Sequence, residues 1–254
     1  MTETKSLLRL LLRRDAVVSQ IKDGPIDIRS LTDAVDVSRP TVHRSLKELQ
    51  ENHIVTETLD GYVVTPYGEL LFDRYRSFLS EFTDVQENRN LLLAIEDASL
   101  MGESLLDGAT YMKSVPFAPE KLISEVEAFV RNATTVRGFS PFIVGRYASL
   151  FHEQQTSGSL DAEIITSPEV FEYTSMHWNT QFEEAIRDGL DWLVVDEPIP
   201  FGLLIEDGPG ESVCVVVDEE GTLRGVIHND TPNAVAWGND LYERYRKQAR
   251  RPDL

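Results

Sequence analysis

The sequence predicts an α+β protein, with a mainly helical N-terminal segment ending in a hairpin and a C-terminal α/β segment with a mixed sheet. Three observations carry that expectation. Two short helical patterns flank Val35-Asp36-Val37, and an Asp60-Gly61 hairpin signal follows them. Helix and strand patterns alternate from residue 119 to residue 196. Beyond Phe201, short strands succeed one another through Asp207-Gly208-Pro209-Gly210 and Glu219-Glu220-Gly221 turns.

Residues 3–22 place Leu7, Leu8, Leu11, Leu12, Val18 and Ile21 at helical spacing, and Gly24-Pro25 ends that helix. Ile26-Asp27-Ile28 reads as a short extended piece suited to the third strand of a small sheet. Ser30 is the expected cap of the second helix, with Asp33 three residues on. Ser38 is the expected cap of the third, and Pro40 sits in its first turn, where a missing N–H costs nothing. Val42, Leu46 and Leu49 give that helix one buried side, while Arg39, Thr41, His43, Arg44 and Lys47 lie on the other. Helix, turn, helix and hairpin in this order make a winged helix-turn-helix, which sets one helix into a DNA major groove.

Short or forked polar side chains near the start of that helix reach base edges, so Thr41, His43 and Arg44 are the expected readers. Arg39 and Lys47 are placed for the phosphate backbone, the cap residue Ser38 is counted with the DNA-binding residues, and Tyr62, beside the wing turn, is expected to touch the backbone or minor groove. The alternative is a winged helix used as a protein–protein module with a solvated charged face.

Thr65-Pro66 opens a helical region reaching roughly to Leu106, with Leu70, Leu71, Phe78, Phe82, Leu91, Leu92, Leu93 and Ile95 available for packing. It is expected to dimerise the protein; a simple linker is the alternative. Pro116 and Pro119 mark a second boundary. The expected divisions are therefore 1–66 for the winged helix, 67–115 for the helical linker and 116–254 for an α/β sensor domain. Within the last, helices are expected over 119–131, 141–155 and 168–188. Strands are expected over Thr134–Phe139, Ala162–Thr166, Leu190–Asp196, Gly202–Ile205, Val213–Val217 and Leu223–Ile227. A closing helix over 233–249 carries Trp237, Leu241 and Tyr245 on one side.

The formal charge of −19 conflicts at first sight with DNA binding. It is unevenly spread: residues 1–82 hold 11 Lys/Arg and 13 Asp/Glu, so −17 of the charge lies beyond them. Lysine is scarce, at six of the 24 basic residues. Such a composition suits molar salt, where the Debye length falls to about 3 Å and self-repulsion is screened. The expectation is a protein from a halophile. Screening also weakens counterion release, so specific contacts and half-site geometry must carry more of the affinity.

No apolar run reaches the roughly 18 residues of a membrane span, and no cleavage site follows Leu7–Leu12, so a cytoplasmic protein with no membrane partner is expected. The single cysteine, Cys214, excludes an intramolecular disulfide and a cysteine-rich zinc site. In Val-Cys-Val-Val-Val it reads as a buried strand residue rather than a redox sensor.

No enzyme signature emerges: Gly-x-Gly-x-x-Gly, P-loop, His-Glu-x-x-His and Gly-x-Ser-x-Gly motifs are all missing. Asp191, Asp196, Glu197, Glu206 and Asp207 offer paired carboxylates, but in so acidic a chain such pairs usually face water. No catalytic residue, cofactor or metal is therefore expected. An effector is expected where parallel strands end in loops. Ser140 and Arg146 lie at the start of the helix after the first strand, with Thr166 and Ser167 in the equivalent place after the next. A helix start and an arginine together favour an anion; a plain ion-pair role for Arg146 is the alternative.

Thr135-Val136-Arg137-Gly138-Phe139-Ser140-Pro141-Phe142, the Glu197-Pro198-Ile199-Pro200-Phe201-Gly202-Leu203-Leu204-Ile205-Glu206-Asp207 segment and the tryptophan-bearing last helix resemble the sensor domain of the archaeal methanogenesis-regulatory-protein family. The resemblance follows the domain order from about residue 5 to residue 250 and is strongest over 120–250. It implies a sequence-specific DNA-binding transcription regulator with an effector domain for an unidentified small molecule. The strand order also resembles phospholipase-D-like domains and the effector domains of sugar-sensing TrmB-type regulators. The enzymatic form of that domain needs His-x-Lys. None of His43, His53, His152, His177 and His228 has Lys two residues later.

Overall fold

In the computed structural model the described residues are 2–252, apart from 96, 116, 119, 145–149, 152, 155–159, 178–183, 188, 209 and 220. They form two compact units, 1–84 and 85–254. The stretch expected to be a separate linker is shared between them, because its apolar side chains enter two different cores. Phe72 and Tyr75 pack into the first core, while Leu91, Ile95 and Leu105 pack into the second.

In the N-terminal unit α1 (Thr2–Lys22), α2 (Ile28–Ala34) and α3 (Arg39–Glu51) precede the hairpin β1 (Val55–Thr58) and β2 (Gly61–Val64). Helix α4 (Pro66–Glu87) follows, with Thr65 Oγ1 accepting the Gly68 N–H at 2.9 Å. Leu11, Val18, Ile21, Leu31, Val42, Leu46, Leu49 and Ile54 are all buried in one core. Leu12 is half exposed, so the inward stripe of α1 runs through Leu10 and Leu11 instead.

The start of α2 differs from expectation. Asp27 caps it, its carboxylate accepting the N–H groups of Arg29 (2.8 Å) and Ser30 (3.0 Å), and Ser30 lies inside the helix. An Asp at this place holds two orphan donors at once, which a serine three residues later cannot do. The extended piece accordingly shrinks to Ile26, which bridges Tyr62 in antiparallel fashion. The backbone and side-chain hydrogen bonds from Ser30 hold the Asp27 carboxyl below its ordinary 3.8. A depressed folded value means the stabilisation is present above 3.8 and lost as pH falls through the folded value. Asp27→Ala is therefore expected to lower the melting temperature of the N-terminal unit at pH 7, with the deficit shrinking toward pH 3. Calorimetry showing an equal deficit at both pH values would refute the cap.

The hairpin loop is Leu59-Asp60, since Thr58 pairs with Gly61. Gly61, at φ +127°, is required by a close approach: a Cβ there would lie 2.6 Å from the Ile26 oxygen.

In the C-terminal unit α5 (Arg89–Leu92) and α6 (Glu103–Leu106) lead to β3 (Thr110–Lys113), α7 (Glu120–Asn132), β4 (Thr135–Phe139) and β5 (Asp161–Thr166). Then come α8 (Pro168–His177), β6 (Asp191–Val194), β7 (Gly202–Asp207), β8 (Ser212–Glu219), β9 (Thr222–Asn229) and α9 (Pro232–Arg246). The seven strands have the order β3-β9-β8-β7-β4-β5-β6. Strands β4, β5 and β6 run parallel, and every other neighbouring pair is antiparallel.

Alternation along each strand loads both faces with apolar groups. Val136, Ile164, Trp192, Leu204 and Val216 meet α7 on one face. Phe139, Ile165, Leu193, Leu203 and Val215 meet α9 on the other. This gives three layers, helix on sheet on helix. Leu241 and Tyr245 are buried as expected, and the half-buried Trp237 donates its indole N–H to the Leu100 carbonyl at 3.2 Å.

Candidate nucleic-acid interface and effector positions

Helix α3 is oriented by its apolar side. Val42 and Leu49 are fully buried and Leu46 nearly so, and the buried Ser45 hydroxyl donates to the Thr41 carbonyl at 2.8 Å. Glu48 is turned toward α1, where Arg14 donates to its Oε2 through Nε (3.1 Å) and a terminal nitrogen (3.0 Å). That pair fixes α3 against α1 and takes a carboxylate away from the outer side.

The outer side then presents Arg39, His43, Arg44 and Lys47, all exposed. Lys47 has a loose partner in Glu51 at 3.8 Å, an exposed pair of little energetic weight. Among the described residues, the side chains of Arg39, His43 and Arg44 have no ion pair or hydrogen bond. Ser38 occupies the cap position, yet its hydroxyl meets the Thr41 hydroxyl at 2.9 Å and makes no capping bond. The helix ends through His53 in the left-handed region (φ +57°), which turns Ile54 back into the core.

Tyr62 does not stand where the sequence suggested. It is 8% exposed and belongs to the core of the unit, because alternation along β2 turns residue 62 inward. Burial, with Glu57 nearby, raises its phenol above the usual value. The exposed residues of the wing tip are Leu59 and Asp60 instead.

In the second unit, Ser140 Oγ donates to the Phe142 carbonyl at 2.5 Å. Thr166 is fully buried, accepts the Trp192 indole N–H at 2.8 Å and donates to the Ser167 carbonyl. Ser167 Oγ accepts the Val170 N–H at 3.3 Å, as the cap of α8. These hydroxyls are thus engaged in local structure. The cavity beside Ser140, about 60 Å³, has an apolar lining that includes Val126, Ile164, Trp192 and Val216. Arg146, the expected anion clamp, lies outside the described residues.

Cys214 is buried in β8, as expected. Burial, reinforced by the Glu206 carboxylate, pushes its thiol up to about 12, far from a reactive thiolate. Asp191, Asp196, Glu197 and Asp207 pair with Arg251, Arg250, Arg244 and Arg137 respectively. Glu206 is the exception, bound to Ser212 within the sheet face. Residues Glu206, Ser212 and His228 form a polar chain that spacing alone did not reveal. Its only sequence signal is that each falls on the same alternate register of the three antiparallel strands. No helix among the described residues is long and apolar enough to cross a membrane, and no group of three or more metal-binding side chains occurs among them.

Comparison with known proteins bears on both units. The family described as "Methanogenesis regulatory protein FilR1, middle domain" matches residues 119–248, half of the chain. The "HVO_A0261 N-terminal domain" matches residues 2–87. No curated protein matched. Among solved structures, the archaeal chromatin protein TrmBL2, described as showing a novel mode of DNA binding, is 12% identical. The match covers 98% of this chain and 99% of that one, with a TM-score of 0.45. NucT from Helicobacter pylori is 12% identical, covering 56% of this chain and 96% of its own (TM-score 0.42). The phospholipase D family member Nuc from Salmonella typhimurium is 13% identical, covering 57% and 98% (TM-score 0.44). The family match spans the three-layer unit built from α7 through α9, and the chain belongs to the family of transcription regulators that carry the FilR1 middle domain.

Proposed function

We propose that the protein is a homodimeric, sequence-specific regulator that binds double-stranded DNA in the cytoplasm of a halophile, with α3 in the major groove. The observation that carries this reading is the outer side of α3, where the exposed Arg39, His43 and Arg44 make no ion pair or side-chain hydrogen bond among the described residues, while the opposite side is locked into the core. Thr41, His43 and Arg44 read bases; Ser38, Arg39 and Lys47 hold phosphates. The C-terminal unit senses a small molecule, and its occupancy shifts operator affinity. The reading assigns no catalytic step, in keeping with the missing His-x-Lys.

Dimerisation is assigned to α4. Its inward side carries Phe72 and Tyr75, yet Leu70, Phe78, Phe82 and Val85 remain exposed at spacings of three to eight residues. Two such stripes related by a two-fold axis make a self-complementary contact. Genomic fragments selected at high KCl are expected to contain inverted repeats. Half-site centres one helical turn, about 34–36 Å, or a multiple of it apart are expected. The double substitution Phe78→Ser/Phe82→Ser is expected to yield monomers by light scattering and to bind single half-sites only weakly. Monomeric wild-type protein, or fragments without two-fold symmetry, would overturn the dimer; an absence of any sequence preference would overturn the DNA reading.

A further inference from the structure

The sheet face under α7 contains a second, larger cleft of about 320 Å³, bordered by the edge strand β3. Met112 and Phe129 form its apolar wall, and Glu125, Glu206 and His228 its polar side. Register explains the polar side. Glu206 pairs directly with Ser212, and Cys214 with His228, so these four share one face of three antiparallel strands.

The hydrogen bonds have a determined direction. A carboxylate accepts only, so the Ser212 hydroxyl donates to Glu206 Oε1 at 2.7 Å. The Ser212 oxygen is then left to accept from His228 Nε2–H, 3.2 Å away. His228 therefore carries its proton on Nε2, and its ring is steadied edge-on by Phe129 at 5.9 Å. Glu206 Oε2 remains, buried and without a hydrogen-bond partner among the described residues. A buried, unpaired carboxylate oxygen is costly, and only a donor relieves it. Glu125 stands exposed at the mouth, and the lining includes no Lys or Arg. The neutral Cys214 thiol adds no charge. An apolar wall with a few convergent polar groups, in roughly 300 Å³ or more, is the form of a small-molecule site.

We propose that this cleft binds a small organic cation, whose ammonium group donates to Glu206 Oε2 while an apolar body lies against Phe129 and Met112. The regulatory consequence of binding rests on the sensor reading given above; the binding itself does not. Ser140, Thr166 and Ser167 take no part in it.

Calorimetric titration of the full-length protein with benzylamine, tyramine and putrescine tests the site, with benzyl alcohol and benzoate as uncharged and anionic counterparts. Saturable one-site binding of at least one amine is expected, with no binding of benzoate. Glu206→Gln is expected to weaken the amine at least about tenfold, the worth of one charge-assisted hydrogen bond. Should Glu206→Gln fail to fold, Glu125→Gln at the exposed mouth decides, with a smaller weakening expected. The proposal falls if none of the three amines binds, if benzyl alcohol binds as well as benzylamine, or if the decisive variant binds like wild type. Amine binding that leaves operator affinity unchanged would remove the sensor reading and leave the site standing.

Discussion

Arg44→Ala is expected to reduce affinity for the selected operator by roughly 5- to 150-fold, which is the about 1–3 kcal/mol carried by one arginine on a base edge. Arg44 is exposed on α3 and has no protein partner among the described residues, so its removal leaves the winged-helix core intact. The loss is expected to concentrate on one base-pair position, with discrimination there relaxed. Arg39→Ala and Lys47→Ala should behave differently. They are expected to weaken binding on all sequences alike, and each to lower the salt slope by about one. Fluorescence anisotropy across a KCl series on the operator and single-base variants separates the two classes. An Arg44→Ala protein that binds like wild type would favour the winged helix as a protein-docking module.

Gly138→Ala is expected to cause the largest loss of stability. Gly138 sits on β4 between β5 and β7, where a Cβ would stand 1.9 Å from the Leu203 backbone oxygen and 3.0 Å from its carbonyl carbon. No side-chain rotation relieves a clash with backbone in the middle of a sheet, so β4 and β7 must separate. A cost of roughly 3 kcal/mol, the upper part of the range for overpacking, follows. All three tryptophans (178, 192 and 237) lie in the C-terminal unit, so their fluorescence in a denaturant titration reports that unit alone. The N-terminal unit has its own core and should still bind DNA fragments. A midpoint within about 0.5 kcal/mol of wild type, the level of a neutral surface change, would show that the strands can part cheaply.

The resemblance motif around Arg137-Gly138-Phe139 thus has a physical basis: glycine admits the neighbouring backbone, and Phe139 is fully buried among Phe201 and Tyr245. That part was legible because close backbone approach leaves a glycine in the sequence. The α3 faces were equally legible, since 3.6-residue periodicity separates Val42, Leu46 and Leu49 from Arg39, His43 and Arg44 without outside information. Tyr62 was not. Gly-Tyr-Val-Val offers no polar partner to show which way alternation points, and only the bridge to Ile26 settles that Tyr62 turns inward. Strand β3 was missed because Thr110–Lys113 is short and half exposed. Its pairing partner, His228 through Gly225, lies more than 110 residues away in sequence.

By itself the sequence determined the local events: the helices, the turn before α3, the hairpin, the alternating strands and the placing of nearly all the negative charge outside the reading unit. These rest on periodicity, caps and turn residues, which act over a few positions. The tertiary structure decided which side chains meet across strands and helices. It turned Glu48 onto Arg14 and so left the outer side of α3 basic. It also divided the central helical stretch between two cores, and brought Glu206, Ser212 and His228 into one directed chain. Such pairings depend on strand register and helix packing between distant segments, and no local pattern encodes them.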